Sequence, residues 1–161
     1  MVNRAKKAGV VQTVSEWNGL DSDVAFVFVR SNSCNEASVP ALNASRLSRL
    51  KELRIGDECF MNVNELIVIG LSELKSVVIG NNSFTQKKND YGNNLSRHFY
   101  LKNCPKLKSL KTGVYSFSDY SVCEIENVDA LEVIEIGDLN EVSNSFYYAS
   151  LELKSVPIHS E

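Results

Sequence analysis

The most reactive side chains in this sequence are four cysteines, whose thiols can bind metals, form disulfides or act as nucleophiles. They are Cys34, Cys59, Cys104 and Cys123, separated by 25, 45 and 19 residues. These spacings contain no Cys-x-x-Cys pair, which many metal and redox sites use. We therefore predict free, buried thiols. A bridge between Cys34 and Cys59, at nearly equivalent places in neighbouring repeats, stays open for a secreted protein.

The other reactive residues form no recognisable catalytic set. The two histidines are His98 and His159, and the sequence contains no phosphate-binding loop, nucleophile elbow or metal-spaced triad. Glu124, Glu126 and Asp129 are most simply a solvated face. We predict that the protein is not an enzyme and uses no cofactor or metal. Parallel β-helix enzymes, the nearest catalytic class in shape, have a shorter repeat than this chain.

Composition excludes several classes of partner. The chain has 161 residues, is 43% hydrophobic and 23% charged, and carries a formal net charge of −3. It has no basic stripe of the kind that binds nucleic acid, and no apolar run approaching the ~18 residues of a membrane span. The apolar stretch after Lys7 is too short for a signal-peptide core. We expect one cytoplasmic domain covering residues 1–161.

The sequence contains a repeat, and this repeat must position the cysteines, histidines and carboxylates named above. An apolar anchor is followed three and five residues later by further apolar residues, then in most copies by glycine. Phenylalanine or cysteine stands ten residues after several anchors. A pattern recurring at this period is the signature of a solenoid. The anchors are Val24, Leu50, Leu74, Leu107, Leu131 and Leu153.

Each unit contains two alternating segments, one before the anchor and one after it. Alternation with period two predicts strands rather than helices, and stacked units pair their strands in parallel ladders. Glycines after the third apolar position are expected in tight turns with positive φ; they are Gly56, Gly80, Gly113 and Gly137. Eight, six and three residues before four anchors stand Leu42, Ala44 and Leu47; Leu66, Val68 and Leu71; Phe99, Leu101 and Cys104; and Cys123, Ile125 and Val128.

The repeat resembles the Leu-x-x-Leu-x-Leu-x-x-Asn-x-Leu segment of leucine-rich repeats. Val24-Val27-Val29-Asn32-Cys34 and Leu74-Val77-Ile79-Asn82-Phe84 carry the likeness, whereas Glu58, Tyr115 and Leu139 stand in place of the asparagine in other units. Phe60, Phe84 and Phe117 resemble the BspA-like variant class of bacteria and protists. Over residues 24–158 the resemblance implies a right-handed solenoid coil of short parallel β-strands and turns, with little helix.

The strand residues between the buried ones point outward, and the resemblance implies that they line a concave, partner-binding face. They are Phe26, Phe28, Glu52, Arg54, Ser76, Val78, Ser109, Lys111, Val133 and Glu135. Phe26 and Phe28 form an aromatic patch that suits a partner anchor. The favoured alternative is that a cap formed by residues 1–23 covers them, through Trp17 and Leu20.

One unit is nine residues longer than its neighbours, and the extra residues fall in the polar segment 85–97. Turn-forming residues predict a loop that bulges from the coil. We expect Lys87, Lys88, Tyr91 and Arg97 to contact an acidic partner, the alternative being a tolerated solvated insertion.

Together these patterns predict a non-catalytic protein-interaction module of unknown protein partner, acting through the concave strand face and the insertion loop. The alternative is a structural spacer within a larger surface or scaffold repeat protein. The last anchor, Leu153, begins a repeat that has no polar cap, which predicts self-association through this end.

Overall fold

The computed structural model describes residues 7–37, 39–86, 96–138, 143–146 and 149–154, and these form two sheets with very little helix. The first sheet contains β1 (Ala8–Val11), β2 (Phe26–Val29), β4 (Glu52–Ile55), β6 (Ser76–Ile79), β8 (Ser109–Thr112) and β10 (Val133–Ile136). The second contains β3 (Ala41–Asn43), β5 (Glu65–Ile69), β7 (His98–Lys102), β9 (Val122–Glu126) and β11 (Ser150–Lys154). The helix of the described residues is α1 (Val14–Asn18).

From β2 onward, successive strands alternate between the two sheets, and every pairing is parallel. The predicted short parallel strands, with little helix, are therefore confirmed. Apart from β1, which pairs with β2, each strand pairs with strands one repeat away rather than with its neighbour in sequence. A residue consequently lies beside its equivalent in the next unit.

Inward side chains of both sheets form one continuous core. The predicted positions before the anchors are confirmed as core: all are buried except Val128, which is partly buried against the others. The anchors Leu50, Leu74 and Leu107 are fully buried as well. Because successive side chains of a strand point to opposite faces, the apolar residues of each segment face the core, as the period-two pattern requires.

A column of phenylalanine rings fills one corner of this core. Phe60, Phe84, Phe117 and Phe146 stack on one another, with ring centroids 5.3, 4.8 and 4.7 Å apart in that order. These separations are close to the ~4.8 Å between neighbouring strands. The rings can therefore stay in contact from unit to unit without bending the backbone, and Trp17 closes the column edge-on against Phe60 at 5.9 Å.

A buried hydroxyl ladder joins the same turns. Ser83 Oγ donates to the carbonyl of Gly56 at 2.8 Å, and Ser116 Oγ donates to the carbonyl of Gly80 at 2.5 Å. Cys59 occupies the equivalent place, and its thiol donates to the carbonyl of Arg30 at 3.0 Å. These bonds satisfy carbonyls at turns that leave the strand ladder, where an unpaired buried carbonyl would be costly.

The turns use left-handed backbone at residues other than glycine. In successive units φ is positive at Glu58 and Phe60, at Asn82 and Phe84, and at Tyr115 and Phe117. This conformation costs a typical L-residue on the order of 1–2 kcal/mol, and asparagine less. Glu58 and Tyr115 adopt it at 54° and 60°, so replacing the motif's asparagine does not break the turn.

The expected positive φ at the repeat glycines is wrong at Gly56, Gly80 and Gly113, and correct at Gly137, where φ is +77°. The reason for glycine at the first three is close approach between turns. A Cβ on Gly80 would lie 2.7 Å from the carbonyl carbon of Gly56 and 2.8 Å from the nitrogen of Asp57, both backbone atoms.

The last predicted anchor is also wrong. Leu153 lies in β11 of the second sheet, directly beside Ile125, and is therefore equivalent to a residue six before an anchor. Phe146 shows why: it continues the phenylalanine column 29 residues after Phe117, whereas the preceding units keep a 24-residue or 33-residue spacing. Extra residues after Gly137 shift the register, and the sequence pattern gave no marker for them.

Substituting Gly80 by alanine tests the close approach. We expect Gly80→Ala to lower the free energy of unfolding by about 1–3 kcal/mol, because the backbone of the preceding turn must move. Gly19→Ala is the matched control, since its nearest non-neighbouring atom would be 3.4 Å away and its φ is −84°. Urea unfolding measures both. Equal effects of the two substitutions would contradict close stacking.

Candidate functional site

The outward residues of the first sheet form two straight rows, which we call face A. The first row is Ala8, Phe26, Glu52, Ser76, Ser109 and Val133, and the second is Val10, Phe28, Arg54, Val78, Lys111 and Glu135. The register places each residue beside its equivalent, so all ten predicted strand-face residues share this surface. Their role in partner binding stays a prediction.

One end of face A is apolar. Val10 is 54% exposed and Phe28 is 42% exposed, and the two lie side by side on β1 and β2. A cleft of about 160 Å³ lies there, lined by Val10, Phe26 and Phe28 on its apolar side and by Glu52 and Arg54 on the other. Such a cleft has room for an apolar side chain of a partner, with polar groups at its rim.

The charges of face A neutralise one another. Arg54 donates from Nη2 to Glu52 Oε1 at 2.8 Å, and Lys111 Nζ lies 3.6 Å from Glu135 Oε2. These pairs are largely exposed, so each contributes little to stability. Their effect on a partner is also small at long range, because opposite charges a few ångströms apart leave almost no net field.

The favoured expectation that Trp17 and Leu20 of the N-terminal segment cover Phe26 and Phe28 is wrong. Trp17 is buried inside the core against Phe60, and Leu20 packs at the edge of that core. Residues 8–11 do not lie over face A either, because they extend it as strand β1. The described part of the segment, residues 7–23, closes the end of the core and leaves Phe28 exposed.

Arg97 is the main correction to the predicted loop surface. Its side chain is fully buried, and its Nη2 donates to the carbonyls of Met61, Val63 and Phe84 at 3.0, 3.1 and 3.3 Å. It also lies 4.9 Å from the centre of the Tyr120 ring. It therefore cannot contact an external partner. Lys87, Lys88 and Tyr91 lie outside the described residues.

Both ends of the insertion are anchored by buried polar groups. Thr85 Oγ1 hydrogen-bonds Ser118 Oγ at 2.6 Å, and the amide of Gln86 donates to Asp119 Oδ2 at 3.1 Å. Asp119 also pairs with Arg97, with Nε and Oδ1 3.5 Å apart. A buried ion pair of this kind adds little net stability as a whole, but removing one partner strands the other charge. The sequence offered no signal for it, because the two residues lie on separate units.

The cysteines are buried and unpaired, as predicted. Burial raises the pKa of Cys34 and of Cys123 to about 12, because a thiolate would lose its hydration. Burial is also the main cause that raises the pKa of Cys59 and Cys104. The four thiols are therefore protonated at neutral pH.

The outer face of the second sheet carries a polar network that includes Glu124 and Glu126, which the sequence predicts to be part of a solvated face. Lys102 Nζ contacts Glu124 at 2.7 Å and Glu126 at 3.6 Å, and the bond to Glu124 is the main reason that the pKa of Lys102 is raised. Tyr100 shares a 2.8 Å hydrogen bond with Nδ1 of His98. Opposite charges on neighbouring strands stabilise the sheet modestly.

Within the described ranges, no group of three or more His, Cys, Asp or Glu residues is arranged to hold a metal ion. Among the same residues, no helix has the length and apolar character needed to cross a membrane. No family model, curated protein or solved structure matches the chain.

Replacing Arg97 tests the buried ion pair. We expect Arg97→Met to lower the free energy of unfolding by about 3–5 kcal/mol, because Asp119 stays buried without its cation. Arg97→Met combined with Asp119→Asn should cost less than the two single changes added together. Lys111→Met, an exposed cation on face A, is the control and should change stability by less than about 0.5 kcal/mol. Additive single effects in urea unfolding would disprove the coupling.

The raised thiol pKa values predict a loss of stability at high pH. The folded chain holds Cys123 at a pKa of about 12 against 9.0 for a free thiol, so its stabilisation is complete below pH 9 and is lost as pH rises toward 12. The loss is at most about 1.4 kcal/mol per pH unit for each thiol. Cys123→Val should therefore flatten the fall in unfolding free energy between these pH values. Parallel pH profiles of the two proteins would contradict this assignment.

Proposed function

We propose that this chain is a leucine-rich-repeat solenoid of the BspA-like type, coiled right-handedly with face A on its concave side. Three features support this assignment. Each unit contributes one short strand to each parallel sheet, and the turn between them carries a phenylalanine column and a buried hydroxyl ladder. The motif positions Val24, Val27 and Val29 are all buried, as such repeats require.

We further propose that the protein is a non-catalytic interaction module that binds another protein through face A. The observation that carries this proposal is the register: two rows of outward residues cross six strands without interruption. A continuous surface of this kind suits an extended contact with a protein rather than a small ligand. The cytoplasm remains the predicted compartment.

The composition along the rows indicates how a partner is recognised. Val10 and Phe28 give an exposed apolar anchor at one end, Ser76 and Ser109 lie on the middle strands, and Val133 and Glu135 form the far end on β10. Anchoring energy in protein interfaces concentrates on a few aromatic or large apolar residues. Phe28 is the described residue of face A that best fits this role.

Site-specific photocrosslinking tests the proposal. A benzophenone side chain placed at residue 28 should capture a protein from extracts of the source organism, and the same group at residue 100, on the outer face of the second sheet, should not. Phe28→Ser should weaken binding of the captured protein by about 30-fold or more, as expected for an interface anchor. Tyr100→Ser is the matched control and should leave binding unchanged.

Salt provides a second readout in the same experiment. Because the ion pairs of face A neutralise each other, we expect the affinity to vary little with ionic strength. Face A would not be the binding surface if residue 100 captured the protein as strongly as residue 28. The same conclusion would follow if Phe28→Ser left the affinity for the captured protein unchanged.

The alternative is a structural spacer within a larger surface or scaffold protein. It is favoured by the exposed apolar residues on β10 and β11, since a scaffold unit needs a surface that joins it to another unit. Under this alternative, binding partners would be insensitive to changes on face A, and the β10 and β11 end would carry the contact.

A further inference from the structure

The two ends of the stack of repeats differ in how the core is covered. At one extremity, Val14 and Trp17 of α1 fold over the core and are buried, and Arg46 donates to the carbonyls of Leu20 and Trp17 at 2.7 and 2.5 Å. The core is therefore covered at this extremity, where β1 and β3 are the edge strands of their sheets. The other is formed by β10 and β11, the last strands of their sheets in the described part of the chain. We call it the β10/β11 end.

Inward-facing residues at the β10/β11 end are exposed. Ile134 and Ile136 are each 38% exposed, and Leu151 and Leu153 are 51% and 58% exposed. Their register partners one unit back, including Leu110, Cys123 and Ile125, are essentially buried. The same positions that form the core elsewhere therefore present an apolar surface here, which in a folded protein marks an interaction site.

A cleft of about 350 Å³ opens at this surface, lined by apolar side chains of Val128, Leu131, Ile134 and Leu153. The surface thus offers both projecting apolar residues and a recess that accepts them. It is also bounded by two strands, each of which has one paired neighbour among the described residues. Unpaired strand edges supply main-chain donors and acceptors to an added strand.

We propose that a second copy of this chain covers the β10/β11 end, related to the first by a two-fold axis. Such an axis reverses strand direction, so β10 and β11 each pair antiparallel with their own copies, and both sheets continue across the interface. A two-fold contact uses one patch twice, which requires a self-complementary surface. Projections and recess on the same end satisfy that requirement.

Charge complementarity supports this occupant and sets the register of β11. With the axis at Leu153, Glu152 of one copy lies opposite Lys154 of the second copy, and Lys154 lies opposite Glu152. Within one copy these two side chains already pair at 2.8 Å on the solvent side of the strand. Two exposed ion pairs therefore flank the apolar contact, which favours this pairing over a shifted one.

Closure of the opposite extremity explains why the contact ends at two copies. A head-to-tail chain of molecules would need the β10/β11 end to join the α1 end, where Trp17 is 2% exposed and Arg46 ties down the covering segment. The assembly is therefore a closed pair rather than a filament. This contact is independent of partner binding through face A, and either can fail without the other.

Sedimentation equilibrium of the whole chain tests the proposal. We expect a dimer of twice 17.9 kDa that dissociates on dilution. Leu153→Asp should weaken the dimer by about 30-fold or more, because it places a charge in the apolar contact. Ser150→Asp, on the outward side of the same strand, is the control and should leave the dimer largely intact. Circular dichroism checks that both variants fold.

Charge reversal tests the register separately from folding. Glu152→Lys and Lys154→Glu should each weaken the dimer, and the two together should restore it, because the swapped pair faces its complement again. Failure of the double variant to recover would overturn the two-fold pairing of β11.

If something other than a second copy covers the β10/β11 end, sedimentation equilibrium will give a different mass. The full chain could be a monomer at every concentration and become a dimer only when it is shortened after Lys154. That result would show that residues 155–161 cover the β10/β11 end, and it would overturn the proposal. A monomer with or without those residues would overturn it too, leaving further repeats of a longer chain or a different protein as the occupant. Masses that keep growing with concentration would exclude the closed pair.

Discussion

The stacking of one turn directly on the next, at the distance of neighbouring strands, is the constraint on which the rest of the structure depends. It requires Gly80 and Gly113 where backbones approach most closely, and it brings Phe84 and Phe117 into contact at 4.8 Å. It also lets Ser116 reach a carbonyl of the preceding turn. Left-handed backbone at Phe84 and Tyr115 is tolerated because ring stacking and turn-to-turn hydrogen bonds offset its cost.

Features that repeat at a fixed spacing could be predicted from the sequence. Alternating apolar residues identified the strands, and equal offsets from the anchors identified ten of the twelve residues of face A. A serine also stands directly before three phenylalanines of the column, at Ser83, Ser116 and Ser145, and the hydroxyl ladder could have been inferred from that spacing.

Features that depend on a single unit could not be predicted in this way. Nothing in the polar segment 85–97 distinguishes Arg97, which is buried, from the neighbouring cations, because its partner Asp119 and the carbonyls of Met61 and Val63 belong to other units. The register of Leu153 failed for a related reason. The unit before it is lengthened without any recognisable marker, so counting from Leu131 placed Leu153 in the wrong sheet.

The irregular places, rather than the repeat itself, set what the molecule can recognise. Regular units neutralise their own charges, as Glu52 and Arg54 do on one sheet and Lys102 and Glu124 do on the other. A surface made only of such pairs offers a partner little net field and little apolar area. The most exposed large apolar groups lie toward the ends of the array, among them Phe28 beside β1 and Leu153 on β11. A repeat array of this kind therefore concentrates its binding capacity toward its extremities, where an inward or flanking position has no next turn to cover it.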